Sequence, residues 1–379
     1  MAMDRLFQLM KEKNASDMFF AVNSPVHIKI NGNLIPINQQ KLDRDNIDSL
    51  LSEIASAEQM AELKRENELN MGISVPNLGR FRLSAFRQRG SISAVFRFVP
   101  AIIPALGDLG LPPVLADLIM EKRGLLLLVG ATGSGKSTTI ASMLDHRNEL
   151  RAGHILTLED PIEYLFKNKK SIVNQREIGS DSNSFYTALR NSMRQAPDCI
   201  LIGEIRDKET MAAALAYAQS GHLVLATLHA NNSYNALNRI ISFYPIENRA
   251  ALLQDLSSAV KAIVSQRLVR SAAGGTRQAA VEIMVNTRYV SDLIEKGEIG
   301  QIKEAMEKSL SPGSQSFESA LFQLVKSGLV TQEEALANAD SATNLLWLLN
   351  NGPDSRTEEA SQSKPEEDGA SFTEFTLNT

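Results

Sequence analysis

Eight consecutive residues, Gly130-Ala131-Thr132-Gly133-Ser134-Gly135-Lys136-Ser137, carry the most specific chemistry in this chain. They fit the pattern G-x-x-x-x-G-K-[ST] at every fixed position, and Thr138 follows them. In such a loop, glycines let backbone N–H groups turn inward around phosphate oxygens. A lysine at this spacing reaches the β- and γ-phosphates, and the hydroxyl beside it ligates magnesium. Lys136 and Ser137 are placed for those roles, so ATP and Mg2+ are the expected ligands. The flanks agree. The apolar run Leu125 to Val129 reads as a strand, and Ile140, Met143 and Leu144 mark a helix whose positive end would face the anion.

Binding phosphate does not specify hydrolysis, which needs a second magnesium contact and a group to activate water. Ile200-Leu201-Ile202-Gly203-Glu204 is an apolar strand ending in a carboxylate, the form of a Walker B element. Gly203 stands where an aspartate is common, so Glu204 must serve the magnesium, through water. Glu159-Asp160-Pro161-Ile162-Glu163 follows another buried strand, His154 to Leu158. That is where parallel sheets place their ligands, and one of these carboxylates could polarise the attacking water. His222 and His229 bracket the strand Leu223 to Leu228 and face opposite sides of it, which argues against a shared metal. They are either hydrogen-bonded strand ends or a sensor of the γ-phosphate.

These loops need a frame. The strands Leu125–Val129, His154–Leu158, Cys199–Ile202 and Leu223–Leu228 alternate with helical patterns, which predicts an α/β domain with a mostly parallel sheet over residues 114–350. Within it, Ala250 to Leu268 and Ser316 to Ala337 read as largely helical. Residues 1–100 read as a small α+β domain. A first helix is carried by Leu6, Phe7, Leu9 and Met10, and Met18 to Val22 reads as a strand. Val26, Ile28 and Ile30 alternate with polar residues up to a hairpin at Asn31-Gly32. Asp43 is placed to cap a second helix, and the strands Arg80 to Phe86 and Ser91 to Val99 close the unit. Pro100, Pro104, Gly107, Gly110, Pro112 and Pro113 mark a flexible linker over residues 101–113.

Bulk properties narrow the class. The 379 residues carry a net charge of -5, and the seven acids and two bases from Gly352 onward account for all of it. Residues 351–379 therefore read as an acidic, disordered tail. The rest is close to neutral, unlike a dedicated nucleic-acid binder. A single cysteine, Cys199, excludes an internal disulfide framework and a four-cysteine zinc site. The apolar run Met211 to Ala218 is far shorter than the roughly 20 residues a membrane helix needs. A cytoplasmic protein is expected, reaching a membrane only through a partner.

In their order along the chain, the four loaded elements resemble the secretion ATPase superfamily: Walker A, Asp box, Walker B and His box. The run Met193-Arg194-Gln195-Ala196-Pro197-Asp198, continuing through Cys199-Ile200-Leu201-Ile202-Gly203-Glu204-Ile205-Arg206-Asp207, is similar to the signature of type II secretion and type IV pilus ATPases. The resemblance spans Leu6 to about Asn350, and is strongest to the PilT/PilU family of pilus retraction ATPases. Ala226-Thr227-Leu228-His229-Ala230-Asn231-Asn232 resembles the PilU side of it. This resemblance implies a RecA-like P-loop ATPase domain behind a PAS-like N-terminal domain. It implies Glu163 as general base, Glu204 as the Walker B carboxylate, and His222 and His229 as the His-box histidines. Arg82 and Arg97 would approach the nucleotide from the N-terminal domain. The implied assembly is a homo-hexamer at the pilus base on the inner membrane, driving retraction and twitching motility. It would work with a PilT-like ATPase and the membrane platform protein, with no nucleic acid and no membrane insertion. Competing readings are another secretion motor (pilus extension, type II secretion), a nucleic-acid translocase on the same core, and a scaffold that binds ATP without turnover.

Overall fold

The computed structural model describes residues 2–30, 32–76, 78–99, 102–308 and 313–352. Helix α1 (Ala2–Glu12) leads into β1 (Asp17–Phe20), β2 (Pro25–Ile30) and β3 (Asn33–Lys41). Helices α2 (Arg44–Ser52) and α3 (Ala57–Glu66) then precede β4 (Glu68–Val75), β5 (Gly79–Gln88) and β6 (Ser91–Val99). These strands form one antiparallel sheet in the order β3-β2-β1-β6-β5-β4. Its core is aromatic: Phe7 of α1 stacks on Phe81 of β5 at 4.1 Å between ring centroids.

Local chemistry explains the element ends. The Asp43 side chain accepts from the Asn46 N–H while Asn46 returns the bond, a reciprocal cap for α2. At the β2–β3 hairpin Ile30 pairs with Asn33, and Gly32 takes φ +85°; Asn31 lies outside the described residues. Sequence reasoning missed α3 and β4, although both carry signals. Ser56 and Gln59 make a capping box, and Leu69, Met71, Ile73 and Val75 alternate with the period of a strand. The expected linker is not loose from Pro104 onward. The Ser142 hydroxyl donates to the Pro104 carbonyl at 2.8 Å, and Leu106 and Leu111 pack into the second unit.

The second unit begins with α4 (Val114–Ile119), β7 (Gly124–Val129), α5 (Lys136–Leu150), β8 (Gly153–Glu159), β9 (Ser171–Glu177) and α6 (Phe185–Ser192). It continues with β10 (Cys199–Ile202), α7 (Lys208–Gln219), β11 (Leu223–Leu228), α8 (Ser233–Ser242) and α9 (Arg249–Ala259). The antiparallel pair β12 (Val260–Arg270) and β13 (Arg277–Val285) follows. The strand order is β13-β12-β7-β11-β10-β8-β9, parallel throughout except at β13. Every residue of β7 is buried, as a central parallel strand covered on both faces requires.

One expectation fails here. The segment Ala250 to Leu268 is not largely helical: the helix stops at Ala259 and β12 takes over. Val260, Ile263, Val264 and Val269 are all buried, so apolar residues fall on both faces and the spacing carries no clean period. Pairing of β12 with β7, more than 130 positions earlier in the chain, decides the outcome.

The described residues end in helices α10 (Arg288–Lys296), α11 (Ile302–Glu307), α12 (Phe317–Lys326), α13 (Gln332–Asn338) and α14 (Ala342–Asn351). Arg267 of β12 clasps α12 and the end of α13 to the sheet. Its guanidinium pairs with Asp340, donates to the Asn338 carbonyl at 2.5 Å and lies 3.9 Å over the Phe317 ring. The expected disordered tail lies, beyond Gly352, outside the described residues. Among the described residues, no helix is long and apolar enough to cross a membrane.

Candidate active site

A cleft of about 720 Å³ opens at the carboxyl ends of β7, β8, β10 and β11, where an open parallel sheet places its ligand. The loop between β7 and α5 forms one wall. Gly130, Gly133 and Gly135 all have positive φ (+150°, +79° and +91°). A Cβ on Gly130 would stand 2.6 Å from the Gln266 carbonyl, and one on Gly135 2.7 Å from Gln266 Nε2. Only glycine lets the loop lie this close to β12. On the far side, Gly133 has nothing within 4 Å of a built Cβ, so its backbone faces open space. Thr139 donates to Gln266 Oε1 at 2.8 Å and locks the first turn of α5 to the same residue.

Lys136 is nearly buried. Its ammonium donates to the carbonyls of Gly130 at 2.7 Å and Ala131 at 2.9 Å. Burial lowers its pKa, and the charges of Glu204 and Glu163 oppose that shift. Both carboxylates therefore act on the ammonium through the cleft. The Ser134 hydroxyl is buried with no hydrogen-bond partner. A buried cation, an orphaned hydroxyl and an inward-turned glycine loop at a helix N-terminus suit a polyphosphate anion. The Ser137 hydroxyl and Glu204 line the same cleft, which suits Mg2+ held by one or two protein groups and phosphate oxygens. Among the described residues, no group of three or more His, Cys, Asp or Glu could hold a metal by itself, and magnesium needs none.

Glu204 stands just past the end of β10, gripped on both oxygens. His229 Nε2 lies 3.2 Å from one, and Arg206 Nε donates to the other at 2.7 Å. Arg206 also approaches Asp160 at 3.9 Å. The glycine before Glu204 has a steric cause. A Cβ there would meet the Leu158 carbonyl at 3.0 Å and Glu159 Cα at 3.3 Å, so β8 leaves no room for an aspartate.

The three carboxylates after β8 separate by environment. Glu163 is exposed in the cleft, and Asp160 is half exposed beside Arg206. Glu159 is buried and accepts from Thr157 Oγ1 at 2.6 Å and Gln175 Nε2 at 3.2 Å. Burial pushes its carboxyl above the ordinary range, against the pull of those bonds and of the Glu163 backbone N–H. A raised folded value means that Glu159 contributes stability below the ordinary carboxylate range and loses it as pH rises through that value. Glu159→Gln should therefore gain thermal stability relative to wild type as pH rises above the ordinary carboxylate range. Thermal melts of both proteins over a rising pH series check this; a difference that stays flat with pH would contradict it.

The remaining expected residues divide. Arg97 of β6 reaches the cleft from the first unit while its Nε holds Asp17 at 2.9 Å. Arg82 sits directly opposite it on β5 and does not line this chain's cleft. His222 stands at the other end of β11 from His229, about 20 Å away at strand rise. Its Nδ1 lies near Ser220 Oγ (3.1 Å) and the Tyr217 carbonyl (3.2 Å), so the structure does not bring it to the cleft. Sequence reasoning missed Tyr164, whose hydroxyl pairs with Thr138 Oγ1 at 2.8 Å, and Arg206, Gln266 and Arg277. Arg206 had a signal two residues past Glu204. Gln266 had none, because it reaches the phosphate loop only through the sheet.

Comparison with known proteins places this geometry. A model of the family described as type II/IV secretion system protein matches residues 2–321. The chain belongs to this family. Among members of the type II/IV secretion family, it is 44% identical over 355 residues to the type IV pilus ATPase PilU of Pseudomonas aeruginosa, covering 94% of this chain and 93% of that protein. It is 36% identical over 344 residues to the pilus retraction ATPase PilT of the same species, covering 91% of this chain and all of PilT. A crystal structure of the retraction motor PilT with bound ADP superposes with a TM-score of 0.84 at 37% identity, over 90% of this chain and 99% of that one. The expected fold therefore holds across both units of this family member.

Proposed function

We propose that this chain is a magnesium-dependent motor ATPase of type IV pilus retraction, assembled as a homo-hexamer and acting beside a PilT-like ATPase on the inner-membrane platform protein. Residues 1–100 then serve as its N-terminal domain, 101–113 as linker, 114–350 as ATPase domain and 351–379 as tail. One observation carries the reading. Lys136, Ser137, Glu163, Glu204 and His229 converge on one cleft, and Arg97 enters it from the other unit. The 44% identity to a pilus ATPase over nearly the full length supports the pilus assignment. The basic run Lys167 to Lys170 gives little to a nucleic-acid reading, since Lys169 is held by Asp145 at 2.9 Å and Glu149 at 3.8 Å.

In this reading Lys136 holds the β- and γ-phosphates, and residues 130–138 supply backbone N–H groups around them. Ser137 directly, and Glu204 through water, would hold magnesium, whose charge offsets that developing on the transferred phosphoryl oxygens. Glu163 takes the proton from the attacking water. Arg97 faces the γ-phosphate, with Arg82 behind it. His229 senses the γ-phosphate through Glu204, and His222 serves at a contact outside this cleft. Hydrolysis completed between subunits predicts a specific activity that climbs with protein concentration. Magnesium-dependent phosphate release across a dilution series tests it. A rate per chain independent of concentration would refute the ring as the active species.

A further inference from the structure

Glu177, at the end of β9, is 5% exposed and joins two parts of the molecule. Its Oε2 accepts from Arg80 Nη2 of β5 at 2.6 Å and from the Ile162 backbone N–H at 3.0 Å. The first bond crosses from the N-terminal sheet to the ATPase sheet. The second fixes the residue immediately before Glu163. Arg80 is itself mostly buried, and its guanidinium lies over Gly72 of β4. A Cβ on Gly72 would stand 2.8 Å from Arg80 Cζ, so this glycine makes the room that the guanidinium occupies. The backbone at Gly72 is ordinary strand, so the absence of a side chain serves the arginine and not the turn.

We propose that Arg80 is a positioning residue: through Glu177 and the Ile162 N–H, it couples closure of the N-terminal domain to the placement of Glu163. The proposal rests on the reading of Glu163 as general base. When the domains close, Glu177 has its charge partner and holds the loop. When they part, Glu177 loses a charge-assisted bond, and its remaining hold on Ile162 is free to shift. A loop displaced by about 1 Å can cost a hundredfold in rate. The latch would thus keep the base misplaced until the cleft is shut.

Two substitutions break this contact without touching Glu177 or Glu163. Arg80→Ala removes the guanidinium. Gly72→Ala retains Arg80 but fills its seat, and the flexible end of the arginine can move away, so folding should be preserved. Amide hydrogen exchange over residues 160–165 of the full-length protein reads the latch without any need for turnover. Both variants should exchange faster there, with distant core strands such as β7 unchanged. In ATP turnover, both should lower kcat by about tenfold with KM little changed, as expected for a displaced base. Arg80→Lys, which keeps the charge, should recover part of the loss. Unchanged exchange over 160–165 in both variants would overturn the latch. Faster exchange with unchanged kcat would leave the contact real but overturn its coupling to Glu163, whereas undiminished turnover in Glu163→Gln would sink the base assignment itself, which separates the two claims.

Discussion

Replacement of Lys136 by alanine is expected to abolish ATP turnover and to weaken nucleotide binding at the same time. The ammonium is nearly buried, spends two donors on the carbonyls of its own loop, and is the cation deepest in the cleft wall. Removing one preorganised donor from developing charge commonly costs a hundred- to a thousandfold, roughly, in rate. Here the same group also offsets the ground-state charge of the phosphates, so both binding and kcat should fall. The fold should survive. Burial already lowers the pKa of this lysine, which means that its charged form costs the folded state free energy that alanine does not. Titration with a fluorescent ADP analogue, beside a thermal melt, separates the two effects. A variant that melts like wild type and binds nucleotide as tightly would show that Lys136 does not contact phosphate.

Glu163→Gln should produce a different loss. Its side chain is exposed in the cleft and makes no buried contact, so neither stability nor nucleotide affinity should change much. Turnover should fall by about a hundred- to ten-thousandfold, the usual contribution of a positioned base. Glu159 is the natural rival, since it follows the same strand, but it is buried, its carboxyl is pushed toward the neutral form, and its Oε1 already accepts from both Thr157 and Gln175. Its geometry suits holding the loop more than taking a proton from water. Single-turnover kinetics with both variants decides between them. A rapid chemical step in Glu163→Gln together with a dead Glu159→Gln would reverse the assignment.

The reasons that some of this was legible in the sequence and some was not are physical. The phosphate loop, the Glu204 strand and the acidic loop are local: each is a short run whose residue types have little other use at that spacing. The strands β7, β8, β10 and β11 were legible for the same reason, as short apolar runs before polar loops. β12 was misread because burial on both faces erases the period of two. The contacts that complete the site cross long sequence distances. Gln266 backs Gly130 and Gly135 from β12, and Arg80 meets Glu177 across the two sheets. No spacing rule connects such pairs. His222 shows the converse. Seven residues separate it from His229, and an extended strand turns that spacing into opposite ends of the molecule's central sheet.

The central claim is that ATP hydrolysis in this cleft powers pilus retraction, and the most direct test is retraction itself. In a piliated strain lacking the chain, retraction events and surface twitching are scored after complementation with wild type or with Glu163→Gln. Wild type should restore retraction, and Glu163→Gln, folded and still binding nucleotide, should not. Full restoration by Glu163→Gln, with its hydrolysis confirmed absent in the purified protein, would contradict it and leave a nucleotide-binding scaffold as the role of this chain.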